Sequence, residues 1–192
     1  MTTWFTSDTH CRHKNIVRGA SNWRDTSVCR DFDTLAEMND ALAGSIDAVV
    51  QEADVLYHIG DWSMGGLDNI VEFHSRLQCR TIHLVYGNHD RYIRKNKNGV
   101  ADVFSSVRAL RIGKIEDQMM VLCHFPIVVW EDHHRGVWHL HGHSHGNLQQ
   151  PEYYKRKVLD VGIDAHSEFR PFSFAELEAI MSQRSVISLG HH

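Results

Sequence analysis

Three apolar runs, Thr2–Asp8, Ala53–Asp61 and Thr81–Tyr86, read as short strands separated by helical patterns, and this alternation restricts the fold more than any other feature. Between the first two, Leu35, Met38, Leu42, Ile46 and Val49 recur at helical spacing and predict a one-sided helix within Asp33–Glu52. Leu67–Leu77 predicts a second helix before the third strand. Strand, helix, strand, helix, strand with short links implies βαβ units, a largely parallel sheet and right-handed crossovers.

The second half changes character. Val107–Ile112, Met119–His124, Val137–His141 and Val158–Val161 are strand candidates with few helices between them. Ser173–Met181 predicts a last helix, introduced by Pro171 and opened by a Ser173-x-x-Glu176 capping box, with Val186–Leu189 as a final strand. The polar segments Arg91–Gly99 and His145–Arg156 read as loops. With no repeat, low-complexity tract or linker in view, residues 1–190 are expected to form one α/β domain on two packed sheets, and His191–His192 reads as a tag remnant.

Composition narrows the class. A chain of 192 residues that is 42% hydrophobic can bury a sizeable core, and a net charge of -4 disfavours both disorder and a wholly basic nucleic-acid binder. No apolar run approaches the roughly 18 residues that span a bilayer, and MTTWFTSDTH lacks a signal-peptide core. Cys11, Cys29, Cys79 and Cys123 form no CxxC pair, so reduced thiols in a cytoplasmic protein are expected. The unusual count is 16 histidines, 14 of them outside the tag remnant, which points to metal or acid–base chemistry.

That chemistry gathers at strand ends. Asp8-Thr9-His10 follows the first strand, Gly60-Asp61 the second and Gly87-Asn88-His89-Asp90 the third; His124 ends a fourth, and Gly142-His143-Ser144-His145 follows a fifth. In open α/β sheets, ligands bind at the carboxyl ends of strands. Carboxylate, amide and imidazole donors without thiolate suit Mn, Fe, Ni or Zn. In D-x-H and H-x-H, residues two apart project to the same side of an extended chain, and the preceding glycines permit sharp turns and close approach.

The series Asp8-x-His10, Gly60-Asp61, Gly87-Asn88-His89-Asp90, His124 and Gly142-His143-x-His145 resembles the calcineurin-like metallophosphoesterase superfamily over about residues 4–166. The resemblance implies a four-layer α/β/β/α sandwich of two mixed sheets holding two divalent metals, manganese first among the candidates. It implies that Asp8, His10, Asp61 and His145 bind one metal, and that Asp61 bridges to a second held by Asn88, His124 and His143. Hydroxide generated between the metals would attack phosphorus. His89 would contact the phosphate and protonate the leaving group, with Asp90 orienting it.

Phosphoprotein phosphatases of that superfamily carry GDxVDRG and GNHE, whereas this chain has GDWSMGG and GNHD. With the modest length, this favours the small, uncapped members. The expected function is hydrolysis of phosphodiesters: cyclic nucleotides, nucleic-acid ends or small diesters. The alternatives are a phosphomonoesterase on nucleotides or phosphoproteins and a non-catalytic metal-binding scaffold. Arg12 and His13, close behind the first motif, are candidate phosphate contacts together with Asn88 and His89. His58, His83, His139 and His141 lie within strands and read as core or supporting residues, and His133-His134 as surface. The basic run Arg91, Arg94, Lys95 and Lys97 reads as a solvated face or as a guide for an anionic polymer.

Overall fold

Thr34 starts the first helix with a reciprocal cap: its side chain accepts from the Glu37 amide while Glu37 accepts from the Thr34 amide. A computed structural model describes residues 1–187. The helix α1 spans Leu35–Asp47 and lies between strands β1 (Thr3–Thr6) and β2 (Val55–His58) in sequence. Helix α2 (Leu67–Arg76) precedes β3 (Thr81–Val85), and α3 (Arg91–Lys95) precedes β4 (Ser106–Arg108). Strands β1, β2, β3 and β4 pair in parallel in adjacent register. The short β9 (Phe172–Ser173) runs antiparallel beside β1, which closes a five-stranded mixed sheet in the order β4-β3-β2-β1-β9.

The second sheet has the order β5-β6-β7-β8, from Arg111–Ile115, Gln118–Leu122, Trp138–His141 and Val158–Asp160. It too is mixed, because β5 and β6 form a hairpin while β6, β7 and β8 are parallel. Alternation along β2 divides the core. Leu56 packs with Met38, Leu42 and Ile46 of α1 and with Ile70 and Phe73 of α2. Tyr57 faces the other way, with Phe5, Met120, Leu122 and Leu140, against Leu177 and Met181 of helix α5 (Phe174–Ser182). On the far face of the second sheet, Val121 and Val158 are covered by Trp130 and by Tyr153 and Tyr154 of α4 (Pro151–Tyr154). Each fully buried aliphatic side chain in these layers contributes about 1.5–3 kcal/mol relative to exposure. Helices thus flank two mixed sheets, as expected, and the capping box at Ser173 and Glu176 forms.

Several expectations need correction. The apolar run Val107–Ile112 is not one strand: it breaks at Ala109-Leu110, sending β4 into the first sheet and β5 into the second. A continuous apolar stretch carries no mark of which partner each half will find. Arg91–Gly99 is not loop throughout, because α3 occupies its start and a 3-10 turn covers Lys97–Val100. His145–Arg156 likewise contains α4, opened by Pro151 at its first turn, where a missing N–H costs nothing. Of the final strand, Val186 and Ile187 are irregular, with only a bridge from Ser185 to Arg156 before them; the remainder, and His191–His192, lie outside the described residues. Among the described residues, no helix is long and apolar enough to cross a membrane.

Candidate metal centre

Just past β1 and β2, the chain runs two segments side by side: Asp8 N donates to Gly60 O and His10 N to Asp61 O, both at 2.9 Å. The same-side projection of Asp8 and His10 does not come from an extended strand, as the D-x-H spacing had suggested. Asp8 (φ 57°), His10 (φ 48°) and Arg12 (φ 64°) are left-handed, as are Asp61 (φ 57°), His143 (φ 70°) and His145 (φ 49°). Such backbone costs about 1–3 kcal/mol per residue and persists only where the surroundings impose it. Gly60 (φ 96°) does need its conformational freedom. Gly87 is required for space rather than for its turn, since a side chain there would collide with the Asp61 carboxylate and backbone.

These turns bring ligand-type atoms from both sheets together. Asp8, His10 and His145 form one group, and Asp8, Asp61 and His124 a second that shares Asp8. Asp61 Oδ2 stands 3.3 Å from His124 Nε2 of its own group and 3.4 Å from His10 Nε2 of the other. Asn88 Oδ1 lies 3.0 Å from both His124 Nε2 and His143 Nδ1. All seven expected ligand residues therefore meet at one place.

The atoms left over suit a cation. Asp8 Oδ2 accepts from Ser7 Oγ and from the His143 amide, whereas Asp8 Oδ1 is buried with no hydrogen-bond partner among the described residues and faces His10 and His145 at 3.8 Å. His124 Nδ1 donates to the Ile59 carbonyl at 2.9 Å, so in the neutral ring Nε2 is a lone pair pointing at the carboxylate of Asp61 and the amide oxygen of Asn88. Acceptor facing acceptor calls for a positive charge between them. In the metal-free chain a proton supplies it: burial alone would lower the His124 pKa, but its hydrogen bond to Asp61 and the charge of Asp8 raise it to about 9. Burial also opposes ionisation of Asp61, yet the His124 hydrogen bond and the charges of His124 and His10 hold its carboxyl well below the usual range. Asp8 is pushed up to about 6 by burial, against the opposing charges of His145 and His124. Burial holds His10 neutral.

His89 is exposed, with its ring 5.0 Å from that of His10 and 5.7 Å from that of His13. His89 and His13 thus sit together beside the cluster. Arg12 does not join them: its Nε pairs with Glu72 of α2 at 3.3 Å. Asp90 is a second correction. Its carboxylate accepts from the amides of Asp61 (2.7 Å), Gly87 (2.8 Å) and Trp62 (2.9 Å), so it binds two turns to each other rather than orienting His89. What His89 does receive is the hold of Asp61 Oδ1 on its backbone amide at 2.8 Å.

Two residues escaped the sequence reading. Asp164 accepts from His145 Nδ1 at 2.7 Å, which directs Nε2 toward Asp8. Burial opposes its ionisation, but His145 and Arg30 hold Asp164 far below the ordinary carboxylate range. Arg30, itself buried, meets Asp164 through Nε and Nη2 and donates to the carbonyls of Asp8 and Thr9. Gly162-x-Asp164 after β8 repeats the glycine–acid signal of the other strand ends, whereas Arg30 carries no sequence signal. The strand histidines are supporting groups: His58 meets Thr9 Oγ1 at 2.9 Å, and His139 donates to Val121 O while accepting from Ile127 N.

Two mixed sheets with oxygen and nitrogen donors converging at their strand ends define a metal-dependent phosphoesterase. The chain belongs to the calcineurin-like phosphoesterase family, whose model matches residues 1–191. It hydrolyses phosphoric esters with divalent metal, as members of that family do. The gene 66 protein of Mycobacterium phage L5 is 28% identical over 189 residues, covering 85% of this chain and 86% of that one. MJ1445 of Methanocaldococcus jannaschii is 24% identical over 186 residues, covering 94% of this chain and 92% of that one. The crystal structure of protein AQ665 from Aquifex aeolicus shares the fold, with a TM-score of 0.67 and 20% identity over 93% of this chain and 98% of that one.

Proposed function

We propose that the chain is a binuclear phosphodiesterase. The observation that carries this reading is the position of Asp61 Oδ2, within 3.4 Å of His10 and 3.3 Å of His124, where one carboxylate can serve two cations. Asp8, His10, Asp61 and His145 would hold one, and Asp61, Asn88, His124 and His143 the other. Two divalent cations supply Lewis acidity to the phosphoryl oxygens and lower the pKa of water. Manganese is the first choice among metals that suit this donor set.

His89 supplies the proton. Its exposed imidazole stands beside the ligands without belonging to their groups, which suits a donor to the departing alkoxide. A scaffold would have no use for that group. The preference for diesters follows the likeness of the chain, GDWSMGG and GNHD in place of GDxVDRG and GNHE, to the small, uncapped members.

Hydrolysis of bis(p-nitrophenyl) phosphate and p-nitrophenyl phosphate with manganese, against a chelator control, tests this. The diester should be turned over faster, elemental analysis should find about two metals per chain, and His89→Ala should retain the metals while losing about 100-fold or more in rate on esters with alkyl leaving groups. Faster monoester turnover overturns the diester preference, and one metal per chain overturns the binuclear centre.

A further inference from the structure

Beside the cluster lies a cavity of about 290 Å³. Its lining is part apolar, from Ile16, Trp23 and Val28, and part polar, from Arg30, His145, Asn147 and Asp164. Because His145 is a candidate ligand and Asp164 its hydrogen-bond partner, the cavity adjoins the place where phosphate would sit. Its size lies at the lower limit for small-molecule sites and suits a single flat ring system.

The apolar part of the lining is open to an incoming ring: Trp23 is 45% exposed and Val28 74%. Trp23 is also connected to the chemistry through rings: its indole meets His13 edge-on at 6.1 Å, and His13 in turn lies 5.7 Å from His89. An exposed indole one imidazole away from the candidate acid is placed to stack against an aromatic group joined to the reacting phosphate by a short linker. In the polar part of the lining, the Asn147 side chain, whose amide donates to His145 O, can meet the polar edge of such a ring.

We infer that this cavity is a nucleobase subsite with Trp23 as its stacking platform, and that the physiological substrate is a nucleoside-bearing phosphodiester. The inference builds on the phosphodiesterase reading above by naming the substrate class of the same site. Aromatic stacking tolerates every base, so the subsite selects nucleosides over other alcohols without selecting sequence. One stacked base commonly changes affinity by about tenfold or more.

Two measurements test it separately from the activity. Calorimetric titration should show adenosine 5′-monophosphate binding about tenfold tighter than ribose 5-phosphate; Trp23→Ala should abolish that difference and Trp23→Phe should keep most of it. Equal affinities for the two ligands in the wild type, or a difference that survives Trp23→Ala, overturn the subsite. In turnover with manganese, Trp23→Ala should lower kcat/KM for the p-nitrophenyl ester of thymidine 5′-phosphate about tenfold more than for methyl p-nitrophenyl phosphate. Equal losses on both overturn the assignment of substrate class. If neither ester is hydrolysed while the difference in binding holds, the phosphodiesterase reading fails and the subsite stands.

Discussion

At the scale of single residues, the centre is held by groups that do not belong to it. Asp164 fixes the ring of His145, and Arg30 fixes Asp164 while holding the carbonyls of Asp8 and Thr9. Removing such a partner typically weakens metal binding 10–100-fold. Asp164→Asn should therefore weaken manganese binding by about 10–100-fold, as measured by competition with a chelator, while the fold survives. Asp90 makes a contrasting case. Asp90→Ala leaves three backbone amides without their acceptor, at about 1–3 kcal/mol each. Urea unfolding should show a loss of at least about 3 kcal/mol, whereas a residue that served only to orient His89 would leave stability unchanged. The seven ligand-type residues were legible because each follows an apolar run and a short polar turn. Asp90's role was not, because its partners near Asp61 lie almost thirty positions away, and Trp23 stands in a loop with no periodicity to give it meaning.

At the scale of elements, local chemistry and tertiary pairing divide the work. The cap of α5 was readable because its signal, Ser173 with Glu176, lies within four residues, and α1 was readable from its apolar spacing; the equivalent Thr34–Glu37 cap of α1 went unread. Thr34→Ala should cost about 1 kcal/mol in unfolding free energy, since α1 loses its side-chain acceptor for the Glu37 amide and gains nothing. An unchanged midpoint would mean that packing of Met38, Leu42 and Ile46 alone fixes the start of the helix. The break between β4 and β5 is of the other kind. Arg108 pairs beside Val85 and Arg111 beside Leu122, in different sheets, and nothing in the intervening Ala109-Leu110 is a turn signal. The short α3 and α4 went unread for want of length, since five and four residues complete too little of a helical period to show one face.

At the scale of the molecule, buried imidazoles make stability depend on acidity. Burial, reinforced by the neighbouring His141, lowers the His139 pKa from 6.5 to about 3. The unfolded chain therefore binds a proton more readily than the folded one between these values. The stability His139 contributes is complete above about pH 6.5 and is lost as pH falls toward 3. Urea midpoints should decline from pH 7 to pH 4. In His139→Asn the decline should be shallower even though the variant starts less stable, and an equal slope would place the acid sensitivity elsewhere.

The ligand set draws on both sheets: Asp8, His10, Asp61 and Asn88 follow strands of the first, and His124, His143 and His145 follow strands of the second. Between the sheets lie apolar side chains such as Phe5, Val85 and Leu140, which resist separation but set no direction for sliding, and a few hydrogen bonds at the strand ends, His124 Nδ1 to Ile59 O and His143 N to Asp8 Oδ2 among them, which do. Cations at the strand ends would act as a clasp with fixed bond directions, so that one sheet could not shear past the other without breaking coordination. Chelation would then loosen the far ends of both sheets together, and the molecule that binds metal would be mechanically stiffer than the one that does not.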